Sequence, residues 1–142
     1  MIIKVALSCV VAAMGIGVLT SGPAIAGAST PTASVRIVDR PAVLRADGGV
    51  RVTIAAKCDA TLQAFELDLS VAQYQASGFV SRLAPPAVVL CDGSRHRQRV
   101  IVYPSSGTFA SGNARVSVFV GFYDPQVDAD LSREDTATVL IQ

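Results

Sequence analysis

From residue 33 onward apolar and polar residues alternate along most of the chain, and no stretch keeps a helical period. In Val50-Arg51-Val52-Thr53-Ile54-Ala55-Ala56-Lys57-Cys58 every even position is apolar. A strand here puts Val50, Val52, Ile54, Ala56 and Cys58 on one face and points Cys58 into the core, because strand side chains alternate with period two. Phe65-Glu66-Leu67-Asp68-Leu69-Ser70-Val71 alternates as strictly, with Phe65, Leu67, Leu69 and Val71 inward and Glu66, Asp68 and Ser70 outward. That is the pattern of a half-buried antiparallel strand. Thr61 to Gln75 is rich in helix formers, but its alternation favours the strand.

Shorter segments follow the same rule. Val35-Arg36-Ile37-Val38 reads as a strand, and Val43 to Arg45 continues it past Pro41, which belongs on an edge because proline has no N–H for a central ladder. Gly78 to Ser81, Arg97 to Tyr103, Ala114 to Tyr123 and Thr136 to Ile141 are further strands. On Ala114 to Tyr123, Phe122 shares a face with Val116, Val118 and Val120, while Phe119 and Tyr123 fall on the other. Asp47-Gly48-Gly49, Asp92-Gly93-Ser94 and Asp124-Pro125 supply turns. Pro104 to Asn113 reads as a loop plugged by Phe109, and Asp124 to Asp135 as a polar acidic loop. Seven or eight short strands separated by such turns predict an all-β fold, an antiparallel β-sandwich.

The first 26 residues stand outside this pattern. Lys4 precedes an apolar run from Val5 to Leu19, Thr20-Ser21-Gly22-Pro23 ends it, and Ala24-Ile25-Ala26 offers a small-x-small cleavage pattern, with Ala26-Gly27-Ala28 as a second. The run is shorter than the ~20 residues that span a bilayer, so it reads as a secretory signal peptide. The expected organisation is a signal peptide over 1–26, a flexible leader over 27–33 and one sandwich domain over 34–142. The expected location is secreted or wall-associated, with cleavage near Ala26 or Ala28 and no membrane contact afterwards.

Charge adds an exclusion. The chain carries 12 Lys and Arg against 11 Asp and Glu, and Lys4 leaves with the signal, so the remainder is balanced. That balance argues against a nucleic-acid partner. Of the 3 cysteines, Cys9 also leaves. Cys58 and Cys91 remain as an even pair, which in an oxidising compartment predicts one disulfide. A metal site built from both thiolates and His96 lacks a Cys-x-x-Cys pair and a fourth ligand, and no cofactor is implied.

Four features together carry a resemblance: the signal peptide, Ala46-Asp47-Gly48-Gly49-Val50 leading into a strand that ends at Cys58, the Cys91-Asp92-Gly93 turn, and Phe109-Ala110-Ser111-Gly112-Asn113-Ala114 leading into a valine-rich strand. From Val35 to Ile141 the chain is similar to small exported immunoglobulin-like β-sandwich proteins of high-GC Gram-positive bacteria. The resemblance implies an immunoglobulin-like fold and export, since most of that group have no assigned activity. It departs from antibody-type domains in lacking Trp and in the short interval between its cysteines. The bridge is therefore expected to tie the second strand to a middle hairpin. A more distant similarity is to secreted apoproteins that carry enediyne chromophores, which usually have two disulfides.

Three groups of residues could bind a partner. Arg95, Arg97 and Arg99 alternate, so on a strand they project from one face about 6.5–7 Å apart. Such a row fits a phosphorylated or sulfated polymer, because planar guanidinium forks match those anions. The alternative is a solvated face whose arginines pair with Glu66 and Asp68. Phe119 and Tyr123 are candidate contact aromatics if their face is exposed, and the alternative is core or inter-sheet packing, the commoner fate of such rings. Asp124, Asp128, Asp130, Glu134 and Asp135 offer oxygen ligands for calcium, without the D-x-[DN]-x-[DN]-G pattern.

Catalysis has no support in the motifs. His96 is the only histidine, and Ser105-Ser106-Gly107 is not a G-x-S-x-G elbow. The expectation is a monomeric, exported, non-catalytic binding module whose partner is a protein or a cell-surface polymer. The alternatives are a small-ligand carrier, and a secreted inhibitor or effector acting through the Pro104 to Asn113 loop.

Overall fold

The computed structural model describes residues 27, 29–38, 41–83 and 89–142. Residues 1–26 and Ala28, on which the signal peptide and its cleavage points rest, lie outside the described residues. Among the described residues no helix is long and apolar enough to cross a membrane. Eight strands are present among them: β1 (Ala33–Ile37), β2 (Val43–Leu44), β3 (Val50–Cys58), β4 (Gln63–Gln73), β5 (Ala76–Leu83), β6 (Arg95–Val102), β7 (Gly112–Asp124) and β8 (Ala129–Ile141).

They form two antiparallel sheets. In one, β3 pairs with β6 from Val50 to Lys57, which leaves its other edge to β1 and β2. Those two strands pair with Ile54–Cys58 and Val50–Arg51 as one interrupted edge strand, with the break at Pro41 as the sequence predicts. The other sheet runs β5-β4-β7-β8. Between β1 and β2 the chain also touches this second sheet. The Ala42 N–H donates to the Leu140 carbonyl at 2.9 Å, and the Gln142 N–H donates to the Ala42 carbonyl at 3.0 Å. Side chains close the same edge higher up. The Ile37 N–H donates to Asp135 Oδ2 at 2.8 Å, and Arg133 Nε donates to the Ala33 carbonyl at 2.9 Å. These bonds satisfy backbone groups that have no neighbouring strand there. The order is consistent with the expected immunoglobulin-like arrangement.

The inner faces make the core. Val50, Val52, Ile54, Ala56 and Cys58 are buried as their alternation requires, together with Leu67, Leu69 and Val71 of β4 and Val116, Val118, Val120 and Phe122 of β7. Phe109 is drawn into the same cluster from the β6–β7 connection, as a plug. A disulfide joins Cys58, the last residue of β3, to Cys91 in the β5–β6 connection, with the Cα atoms 4.8 Å apart. It ties one strand of the β3 sheet to the segment that feeds the next, and Gly93 N–H donates to the Cys58 carbonyl beside it at 2.9 Å.

Two elements differ from the sequence expectation. Phe65 faces outward, because a bulge between Ala64 and Glu66 gives β4 one extra residue and Ala64 takes the buried place. The phenyl ring lies across Gly121, where a Cβ would sit 2.8 Å from the ring. The acidic segment is not a loop: β8 begins at Ala129, and the turn is confined to residues 125–128. Asp124 Oδ1 accepts the Gln126 N–H at 2.9 Å, and Asp128 takes a φ of 51°, a left-handed position that aspartate tolerates. Polar residues fill the start of β8, which hides its period in the sequence.

At the β2–β3 hairpin Gly48 has φ 82°, and Asp47 gathers three donors. Its carboxylate accepts from the Arg45 guanidinium at 2.9 Å, from the Gly49 N–H at 3.2 Å and from the Tyr103 hydroxyl at 2.9 Å. The Arg45 hydrogen bond is the main reason that its pKa falls to about 2.

Replacing both Cys58 and Cys91 with Ser should lower the unfolding free energy by about 3–4 kcal/mol, from the loop-closure entropy of this separation. A urea titration reads it, and an unchanged midpoint refutes it. For Asp47 the folded pKa lies below the unfolded value of about 3.9, so its contribution is complete above about pH 4 and fades as the pH falls toward 2. Amide protection factors in the hairpin should therefore drop over that interval in the wild type. Asp47→Asn should start lower and respond less, and identical pH responses in the two proteins contradict the assignment.

Candidate functional site

Odd-numbered residues of β3 and β6 face away from the core. Their register places Lys57 beside Arg95, Ala55 beside Arg97, Thr53 beside Arg99 and Arg51 beside Ile101, while Arg36 of β1 flanks Ala55 from the other edge. Arg36, Arg51, Lys57, Arg95, Arg97 and Arg99 thus share one outer face. Thr53 and Ala55 face outward too, yet they are only 5% and 4% exposed. Both sit in the middle of the sheet, between β1 and β6, where Arg36, Arg97 and Arg99 are their cross-strand neighbours.

None of these six cations forms an ion pair with a described carboxylate; among the described residues Arg45 pairs with Asp47, and His96 hydrogen-bonds to Asp92. The pairing of Arg95, Arg97 and Arg99 with Glu66 and Asp68 that the sequence allows is overturned. Their strand, β4, pairs with β5 and β7, so both carboxylates lie on the far side of the core. His96 points away from its neighbouring arginines. Its Nε2 lies 2.8 Å from Asp92 Oδ1, which also accepts the Ser94 N–H at 2.8 Å. The His96 bond, then the Ser94 bond, holds the Asp92 carboxyl below the usual range.

The outer face of the β5-β4-β7-β8 sheet has the opposite character. Glu66 and Asp68 of β4 and Asp130 and Glu134 of β8 are on it, with Arg115 as its one cation among the described residues. Phe119 and Tyr123 are here, half-buried, as their spacing predicts. Phe65 lies over Gly121 between them, so three rings follow one another along β7 at two-residue steps. Phe79 of β5, 58% exposed, flanks Ser70. Sequence reading misses Phe65 because nothing in the composition marks the bulge. The Tyr123 hydroxyl donates to Asp128 Oδ1 at 2.8 Å, and that bond is the main cause of its raised pKa.

Between Phe79 and Phe119 the face dips into a dent of about 120 Å³, lined also by Asp68, Ser70, Ser117 and Glu134. Asp68 Oδ1 is shut off from solvent and has no hydrogen-bond partner. The other such side-chain oxygen among the described residues, Gln98 Oε1, lies on the inner side of β6. The two charged faces approach each other only along the β1–β8 edge, where Arg36, Arg95, Glu134 and Asp135 line one shallow groove.

The remaining sequence candidates are dispersed. Asp124, Asp128 and Asp135 bond to Gln126, Tyr123 and Ile37 in three different directions, and no metal-binding group of three His, Cys, Asp or Glu occurs among the described residues. The Pro104 to Asn113 loop is stitched down. The Ser105 and Ser106 N–H groups donate to the Ser77 carbonyl, and Gln73 exchanges two hydrogen bonds with Ala110. A cleft of about 290 Å³ opens at one end of the sandwich between Ser29–Pro31, Leu62 and the β7–β8 turn. No protein-family model and no curated protein matches the chain.

Proposed function

We propose that this protein is an exported, non-catalytic binding module that takes a linear anionic polymer of the cell surface on the outer face of its β3 sheet. The observation that carries the reading is the gathering of six cations on one face with no ion-pair partner among the described residues. Two like charges 6 Å apart repel by roughly 0.7 kcal/mol in water before salt screens them. A phosphate or sulfate lying between them turns that repulsion into attraction, and alternate arginines offer forks at about the repeat of an extended strand. The disulfide is compatible with an oxidising compartment outside the cytoplasm.

The carrier reading is supported by one observation, the end cleft, whose volume of about 290 Å³ sits near the lower limit for small-molecule sites. A carrier would hold extra mass under native conditions that is lost on denaturation.

Retention on a heparin-type or polyphosphate matrix should fall steeply with salt. By analogy with single-stranded polyanions the log–log slope is about −0.7 per contact, hence about −4 for six cations. Arg95→Ser, Arg97→Ser and Arg99→Ser together should bring the slope to about −2 while the protein stays folded. An unchanged slope defeats the polymer reading. Mass spectrometry of the protein exported by its host should give a mature start at Gly27 or Ser29 and a gain of about 2 Da on reduction. An intact N-terminus on cell-associated protein would speak against export as a cleaved product.

A further inference from the structure

The two outer faces of the sandwich are complementary to each other. One carries Arg36, Arg51, Lys57, Arg95, Arg97 and Arg99; the other carries Glu66, Asp68, Asp130 and Glu134 around the rings of Phe65, Phe79 and Phe119. Within one molecule their centres cannot pair, because the core lies between them, and in the groove of Arg36, Arg95, Glu134 and Asp135 at the β1–β8 edge no ion pair forms among the described residues. Between two molecules they can. Arg97 and Arg99 are two residues apart on β6, Glu66 and Asp68 are two residues apart on β4, and both pairs therefore repeat at about 6.5–7 Å.

The dent between Phe79 and Phe119 makes this contact specific. Asp68, half-buried and with its Oδ1 lacking a hydrogen-bond donor, lines the dent together with Phe79 and Phe119. A guanidinium entering the dent can pair with the accessible part of this half-buried carboxylate and stack its plane on a ring.

We infer that a second copy of this chain is the occupant: the β3-sheet face of one molecule docks on the β7-sheet face of the next, with Arg97 or Arg99 entering the dent at Asp68. The contact joins different surfaces of the two partners, so it adds molecules in a row instead of closing a dimer. The charged part of the β3 sheet measures only about 15 by 20 Å, well below the ~800 Å² per partner of a stable interface. The association is weak and salt-sensitive, and it becomes visible at millimolar protein. It shares the cationic face with the polymer reading and does not depend on it.

Two blocked variants test the arrangement. Arg95→Ser/Arg97→Ser/Arg99→Ser removes one face, and Asp68→Ser/Phe79→Ser removes the other. In sedimentation at low salt the wild type should grow in mean mass with concentration, and high salt should return it to monomer. Each variant alone should stay monomeric, whereas an equal mixture should form a one-to-one complex and nothing larger, since each partner retains the face that the other lacks. Glu66→Lys, on the same face and away from the dent, should weaken growth several-fold and serves if Asp68→Ser fails to fold. Asp68→Ser/Phe79→Ser should keep the wild-type salt slope on a polyanion matrix, which separates failure of this inference from failure of the polymer reading. A wild type that stays monomeric at millimolar concentration, a closed dimer, or a mixture that does not combine overturns the proposal. So does a dent that takes a free amine such as spermidine while the wild type remains monomeric.

Discussion

The register of β3 decides where every charge on the molecule can go. It is the only strand of its sheet flanked along its whole length, by β1 and β2 on one edge and β6 on the other. Its even positions form the core, and of its odd positions Arg51 and Lys57 join the outer cationic face while Thr53 and Ala55 are buried between the flanking strands. A one-residue slip of β6 against β3 would turn Arg95, Arg97 and Arg99 inward, into the places of His96, Gln98 and Val100. Burying even one unpaired guanidinium costs several kcal/mol, so the hydrophobic pattern and the charge pattern enforce the same register. The cationic face is thus a direct product of the alternation that builds the core.

The same logic on β4 sends Glu66 and Asp68 the other way. Both strands obey period two, and both put their charges outward, but they belong to different sheets. The sheets of a sandwich pack about 10 Å apart, and the charged groups stand further out still. At physiological salt the Debye length is about 8 Å, so neither face neutralises the other through solvent. Opposite charges are segregated although the chain as a whole is nearly neutral.

Much of this was legible in the residues. Strict alternation located β3, β4, β6 and β7, the aspartate and glycine turns bounded them, and the even pair of cysteines yielded the disulfide. Legibility stopped at three places for physical reasons. The bulge at Ala64 to Glu66 is a feature of pairing between β4 and β7, and a single strand's sequence carries no mark of it. The first half of β8 lies at a sheet edge with few buried side chains, so Ala129 to Asp135 lacks the apolar beat that announces a strand. The sheet to which each strand belongs is a property of topology. That is why Arg97 and Asp68, plausible partners by type and spacing, stand on opposite sides of the core.

The last of these shows how far a total charge can mislead. A net charge near zero argues against a polyanion partner when the charges are spread evenly, because the field then averages out within a Debye length. Here the averaging fails. A ligand at the centre of the β3 sheet meets Arg97 and Arg99 at close range; Glu134 and Asp135 come near at the β1–β8 edge, beside Arg36 and Arg95, while Glu66 and Asp68 lie across the core. Asp47 and Asp92 are already engaged by Arg45 and His96 in the turns that they brace, and the central arginines form no ion pair with a described carboxylate. What such a face attracts is therefore set by the local density of cations, and the pairing of strands is what determines that density.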